Sequence, residues 1–171
     1  MKKLNLGCGH DKRPGFINID ANEMLEPDEV LNLEVFSLSG HFTENSVELI
    51  VANDIIEHLF RWEAMELMNE MYMVLIDGGT LEMRLPDFEA IVNNTEIGLE
   101  SKIPLLFGGQ DIPQGEPDPS HRRRYPEFYC HKFSYTRESM RRELEAVGFT
   151  VLSCETVGTN MEIKCVKGIM V

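Results

Sequence analysis

Four short apolar runs in the first 53 residues, each running into polar side chains, constrain the fold more than any other feature. Leu4 and Leu6 flank Asn5 in the first, which leads into Gly7-Cys8-Gly9. Only His10 to Gly15 separate that turn from "FINID" (16–20), where Phe16, Ile17 and Ile19 lead into Asp20. "EVLNLE" (29–34) is a third candidate strand. "VELIVAN" (47–53) is a fourth, and its scarcity of polar alternation marks a buried strand. Gly-x-Gly between two such runs brings backbone close to whatever lies beyond the strand ends, although many ordinary turns use it too.

The clearest helix follows. Trp62, Met65, Met68, Tyr72 and Leu75 recur at helical spacing and predict its inner face, with "DGG" (77–79) as its stop. "TLEMRLP" (80–86) alternates Leu81, Met83 and Leu85 with polar residues, and Asp87 is placed to cap a short helix over 87–97. Residues 98–135 are irregular, rich in Gly and Pro, and read as a substrate-side or covering insertion. Thr136 predicts the start of a last helix with Met140, Leu144 and Val147 inside and Gly148 at its end. "FTVLSC" and "MEIKCVKGIM", separated by "VGTN", predict a terminal strand pair. The whole, residues 1–171, reads as one α/β domain whose sheet is mostly parallel with a C-terminal antiparallel pair. Ligands of such sheets sit beyond the carboxyl ends of the strands.

Charge narrows the partners. The net charge is −13 and unevenly spread: residues 1–120 hold 7 Lys and Arg against 23 acids, residues 121–171 hold 9 against 6. An acidic body repels phosphates, which argues against nucleic acid as a partner, while "HRRR" (121–124) suits an anionic substrate. No apolar run reaches membrane-spanning length and the N-terminus lacks a signal pattern, so a cytoplasmic protein with no membrane contact is expected. The four cysteines have no Cys-x-x-Cys spacing, and Cys130-His131 with His121 is at most a partial ligand set, so no metal is expected.

Taken in order, "LNLGCG" (4–9), "GFINID" (15–20), "NSVELIVANDIIEHL" (45–59), "MNEMYMVLIDGGTLEMRLPD" (68–87) and "YTRESMRRELEAVGFTVLS" (135–153) resemble the class I S-adenosylmethionine-dependent methyltransferases. The resemblance implies a Rossmann-like sheet and S-adenosyl-L-methionine as cofactor, S-adenosyl-L-homocysteine being the product. It implies methyl transfer to oxygen or nitrogen of a small-molecule or saccharide-type acceptor. Cofactor residues would be Asn5, where the family usually has an acid, then Gly7, Cys8 and Gly9 along the methionine part. Asp20 would hold the ribose hydroxyls, Asn32 (or Glu34) the adenine edge, and Asn53 the amino-acid end. His58, Asp54 and His131 are the candidate bases; Glu57, Arg122, Arg123 and Arg124 are the candidate acceptor contacts.

Departures from the family matter as well. The third glycine is missing, and six residues between Gly9 and Phe16 cannot hold the usual crossover helix. A short form with abbreviated N-terminal helices is expected, one sheet face being under-covered. Such a face would expose apolar area, to be hidden by the 98–135 segment or by a second copy in a homodimer. Two other readings stay open: a catalytically weak, methyltransferase-like binding module, and an NAD-dependent oxidoreductase. The second fits poorly, because Lys12 stands where the NAD fingerprint needs its third glycine and Asp20 follows too soon.

Overall fold

The computed structural model describes residues 1–35, 37–112, 115 and 120–168; the expected strand end at 169–170 and part of the 98–135 segment lie outside these. Seven strands form one sheet in the order β3-β2-β1-β4-β5-β7-β6. They are β1 (Lys2–Leu6), β2 (Ile17–Asp20), β3 (Glu29–Val30), β4 (Val47–Asn53), β5 (Leu75–Pro86), β6 (Phe149–Val157) and β7 (Asn160–Lys167). The first five run parallel, and β7 enters antiparallel between β5 and β6. The helices are α1 (Leu38–His41), α2 (Arg61–Val74), α3 (Phe88–Asn93), α4 (Leu99–Phe107), α5 (Ser120–Arg124) and α6 (Arg137–Val147). Among the described residues no helix is long and apolar enough to cross a membrane.

Strand alternation decides what each face of the sheet does. In register, Leu4, Leu6, Ile19, Ile50, Ala52, Leu81, Met83, Leu85, Met161, Ile163 and Cys165 share one face, and all are buried. α2 covers that face between α1 and α6. Its inner stripe is Ala64, Leu67, Met68, Met71 and Val74, while Trp62, expected inside, is 62% exposed. Within the helix only Met68 of the expected face is fully buried; Met65 and Tyr72 pack partly against the core, and Leu75 already belongs to β5.

"DGG" does not stop the helix. α2 ends at Val74 and β5 starts at once, with a register shift between the pairs Val47–Leu75 and Leu49–Thr80 that sets residues 76–79 out as a bulge. "EVLNLE" shrinks to the two-residue β3. α6 forms as expected, with Thr136 accepting from the Ser139 amide, Met140 and Leu144 buried, and Gly148 at its end. Asp87 caps α3 through the Glu89 and Ala90 amides, and it also accepts from Thr156 Oγ1 at 2.7 Å.

Among the described residues no helix covers the opposite face over β4, β5, β7 and β6, yet the face is not apolar as expected. Asn53, Glu82, Arg84, Glu155 and Lys164 line a shallow polar groove there, with Arg13 at one edge. Lys164 pairs with Glu82 at 2.9 Å, and Arg84 pairs with Asp54. Charged side chains solvate this groove. At its β1–β2 end a loop replaces the crossover helix. Asn5, only 3% exposed, donates to Asp11 O (2.7 Å) and Asn18 Oδ1 (3.0 Å), and Asn18 Oδ1 also accepts from the Arg13 amide. Two buried amides thus satisfy the backbone that a helix would have satisfied by itself.

Candidate functional site

The carboxyl ends of β1, β2 and β4 and the loop after β3 open into one cavity of about 510 Å³, inside the roughly 300–1,000 Å³ range of small-molecule sites. Gly7 and Gly9 form its floor. Gly7 has φ +60, and a Cβ there would lie 3.0 Å from Ile55 Cδ1, so the turn needs glycine to pass beneath the β4 exit. The Cys8 amide donates to Ile19 O, joining the turn to β2, while the Cys8 side chain is buried, and burial pushes its thiol up to about 11.

Asp20 stands at the end of β2 on the cavity wall. Its Oδ2 accepts from the Gly9 amide and its Oδ1 from the Asn22 amide, both at 2.8 Å. Each carboxylate oxygen keeps a lone pair for a further donor, such as one of two vicinal hydroxyls. Met24, Leu25, Leu31 and Leu33 give the apolar flank that a planar base needs. Asn32 is on the wall with Oδ1 accepting from the Glu34 amide (3.0 Å), so its amide NH2 stays available. Glu34 is tied to Lys132, a side chain only 11% exposed that the sequence did not single out. Glycine backbone, a carboxylate with free acceptor capacity and an apolar slot with an amide are the kinds of group that an adenosyl moiety would need.

Three expected cofactor residues do not line the cavity; Cys8 is buried beneath it between Gly7 and Gly9. Asn5 points away from the cavity into the loop network, and Asn53 lines the groove on the opposite face. Alternation is the reason: Ala52 faces the helices, so Asn53 faces the other way. What reaches the cavity from the β4 exit is Asp54, Ile55, His58 and Leu59. Asp54 holds φ +53, a sparsely populated conformation for a non-glycine residue, with its amide on Arg84 O (2.7 Å) and its carboxylate on the Arg84 guanidinium.

Residues after α4 line another part of the cavity wall. His121, Arg122, Phe128 and Tyr129 line the cavity. The Arg122 guanidinium lies 3.8 Å from the Tyr129 ring centroid and donates to Gly109 O, and His121 Nδ1 meets Tyr129 Oη at 2.9 Å. Arg123 and Arg124 are exposed and outside the lining.

Behind His58 lies a second group, reached through the 3₁₀ turn Ile56–His58. His58 Nδ1 lies 3.0 Å from Cys130 O, and the Lys132 and Phe133 amides both donate to Glu57 O. These bonds bring His131 against His58, with ring centroids 4.9 Å apart. Glu57 is 2% exposed and its Oε2 has no hydrogen-bond partner. Burial pushes its carboxyl up to about 8, while burial and then His131 push His58 down to about 4. Burial lowers His131 too. Glu57 and His131 do not line the cavity; His58 is the side chain common to both places. Gly108 permits the approach: at φ +78, a Cβ there would lie 2.4 Å from Tyr129 O and 2.7 Å from the His131 amide.

No protein-family model and no curated protein matches the chain. Solved structures do. A SAM-dependent methyltransferase from Methanosarcina mazei superposes with a TM-score of 0.66 at 18% identity, over 98% of this chain and 92% of that one. A putative methyltransferase from Haloferax volcanii, solved with the Trm112 methyltransferase activator, gives 0.64 at 11%, over 99% and 83%. The 1,6-didemethyltoxoflavin-N1-methyltransferase of Burkholderia thailandensis, bound to 1,6-didemethyltoxoflavin and S-adenosylhomocysteine, gives 0.60 at 10%, over 98% and 71%. The chain spans 61% of the length of another match, a possible exported protein from Bordetella parapertussis (TM-score 0.60, 15% identity, 98% of this chain covered).

Proposed function

The chain has the class I S-adenosylmethionine-dependent methyltransferase fold, and we propose that it transfers a methyl group to oxygen or nitrogen of a small-molecule or saccharide-type acceptor. One observation carries the reading: Asp20, fixed at the β2 end by the Gly9 and Asn22 amides, faces the cavity with acceptor capacity left on both oxygens.

S-adenosylmethionine, when bound, supplies a methyl group already activated by its sulfonium. The chain's own work is then binding and alignment, which convert an encounter of two solutes into a positioned one. Asp20 would accept from the ribose hydroxyls, the Asn32 amide would meet the adenine edge, and the Gly7–Gly9 backbone would line the methionine part. His58 Nδ1 faces a carbonyl, which can only accept, so Nδ1 carries the proton and Nε2 holds a lone pair. Held near a pKa of 4, His58 stays neutral at neutral pH and accepts a hydrogen bond better than it removes a proton. The Asp54 carboxylate is engaged by Arg84. Arg122 gives the acceptor side a positive flank, which suits an anionic acceptor.

Calorimetric titration of S-adenosylhomocysteine and, separately, NAD tests this. Saturable binding of the first alone, lost in Asp20→Ala, is the expected result. Binding of NAD alone would replace the reading with an oxidoreductase. Binding of neither would replace it with a methyltransferase-like interaction module.

A further inference from the structure

We propose that Glu57, His58 and His131 form a site for one divalent transition-metal ion. Their ligand atoms all lie within 4.8 Å of one another, and among the described residues no other such group assembles. A cation bound at about 2.0–2.2 Å holds its ligands roughly 3–4 Å apart, so side-chain movements of about an ångström complete the shell.

Three features mark this as a built site. The first is Glu57 Oε2, a carboxylate oxygen of a side chain 2% exposed and without a hydrogen-bond partner. A buried carboxylate oxygen left unmatched is costly, and a cation is the partner that removes the cost. The second is the outer contact of His58. Its Nδ1 is turned to Cys130 O at 3.0 Å. A carbonyl on one ring nitrogen fixes the tautomer and leaves the other nitrogen as a lone pair, which is how metal-binding histidines are held. The third is rigidity. The Lys132 and Phe133 amides on Glu57 O, and the His131 amide on Phe107 O, pin the two halves of the group together before any ion arrives.

Two imidazoles and one carboxylate suit Zn2+, Co2+, Ni2+ or Mn2+ and disfavour Mg2+ and Ca2+, which take oxygen ligands. Three protein ligands also leave coordination positions open. His58 is shared with the cavity wall, so an open position there fits an acceptor hydroxyl; that use, unlike ion binding itself, rests on the methyltransferase reading. The partial set Cys130-His131-His121 does not assemble, because His121 is directed to Tyr129 and His131 to His58.

The test is equilibrium dialysis of untagged, chelator-treated protein against Zn2+, Co2+ and Mg2+, with bound metal counted per chain. The expected result is one Zn2+ or Co2+ per chain and no Mg2+. His131→Ala and Glu57→Gln each weaken binding about tenfold or more, while the exposed His41→Ala leaves it unchanged. Imidazole 15N spectra of the unaltered protein give a reading independent of whether the variants fold: Zn2+ moves the signals of two of the five histidines, His58 and His131. Absence of stoichiometric binding, binding indifferent to both variants, or movement of other histidines would overturn the proposal. S-adenosylhomocysteine binding, measured on the same samples, reports separately on the cofactor site.

Discussion

In metal-free protein, Glu57 controls how stability depends on pH. Burial raises its carboxyl from an ordinary 4.5 to about 8, and the Asp54 carboxylate adds to the effect. As pH rises through 4.5 the unfolded chain gives up this proton and the folded chain keeps it. Stability is therefore lost from there until the folded carboxyl also ionises near 8, with a slope of at most about 1.4 kcal/mol per pH unit. His58 works in the opposite sense. Its folded pKa of about 4 lies below an ordinary 6.5, so stability rises with pH across that window. The two offset one another where they overlap, and Glu57 acts alone between about 6.5 and 8, a loss of about 2 kcal/mol. Glu57→Gln keeps the shape and cannot ionise. Urea denaturation of both proteins in chelator, in half-unit steps across that interval, reads the difference. The unaltered protein loses about 2 kcal/mol relative to the variant; parallel curves would refute the reasoning.

Three further outcomes follow from particular contacts. Asp20→Ala weakens S-adenosylhomocysteine binding by about 100-fold, the loss of two charge-assisted hydrogen bonds, read by calorimetry; an unchanged affinity would remove Asp20 from the site. Gly108→Ala meets Tyr129 O and the His131 amide at a positive φ, and it costs about 1–3 kcal/mol, visible as a lowered denaturation midpoint and faster proteolysis near residues 120–131. Arg61→Ala leaves the buried Glu143 carboxylate without the guanidinium that now sits at 2.7 Å. Half-exposure of Arg61 moderates the cost to about 2–3 kcal/mol, and Arg61→Met with Glu143→Met recovers most of it in a thermal melt.

The sequence exposed what is local. Thr136, Met140, Leu144 and Gly148 mark α6 because capping and 3.6-residue spacing leave a trace in consecutive residues. The Gly7–Gly9 turn and Asp20 are readable for the same reason: both are punctuation at strand ends. Asn53 misled because period-two alternation had no anchor until Ala52 was seen against the helices. Cys130 on His58, and Lys132 on Glu34, join positions 72 and 98 residues apart, and no periodicity records such a meeting. The presence of Gly108 and Gly109 before the basic run was the one local hint that two segments approach closely there.

A central parallel strand packed on both faces tolerates almost no polar substitution. β5 is an interior strand of this sheet, between β4 and β7, with Glu82 and Arg84 in solvent contact and Leu81, Met83 and Leu85 fully enclosed. Tolerance to substitution therefore alternates residue by residue along β5 and β7. Half of each strand is free to diverge at the pace of a surface while the other half is held by the core. A saturation-mutagenesis scan of 80–86 and 160–166 would show that two-residue rhythm as a comb of permissive and forbidden positions.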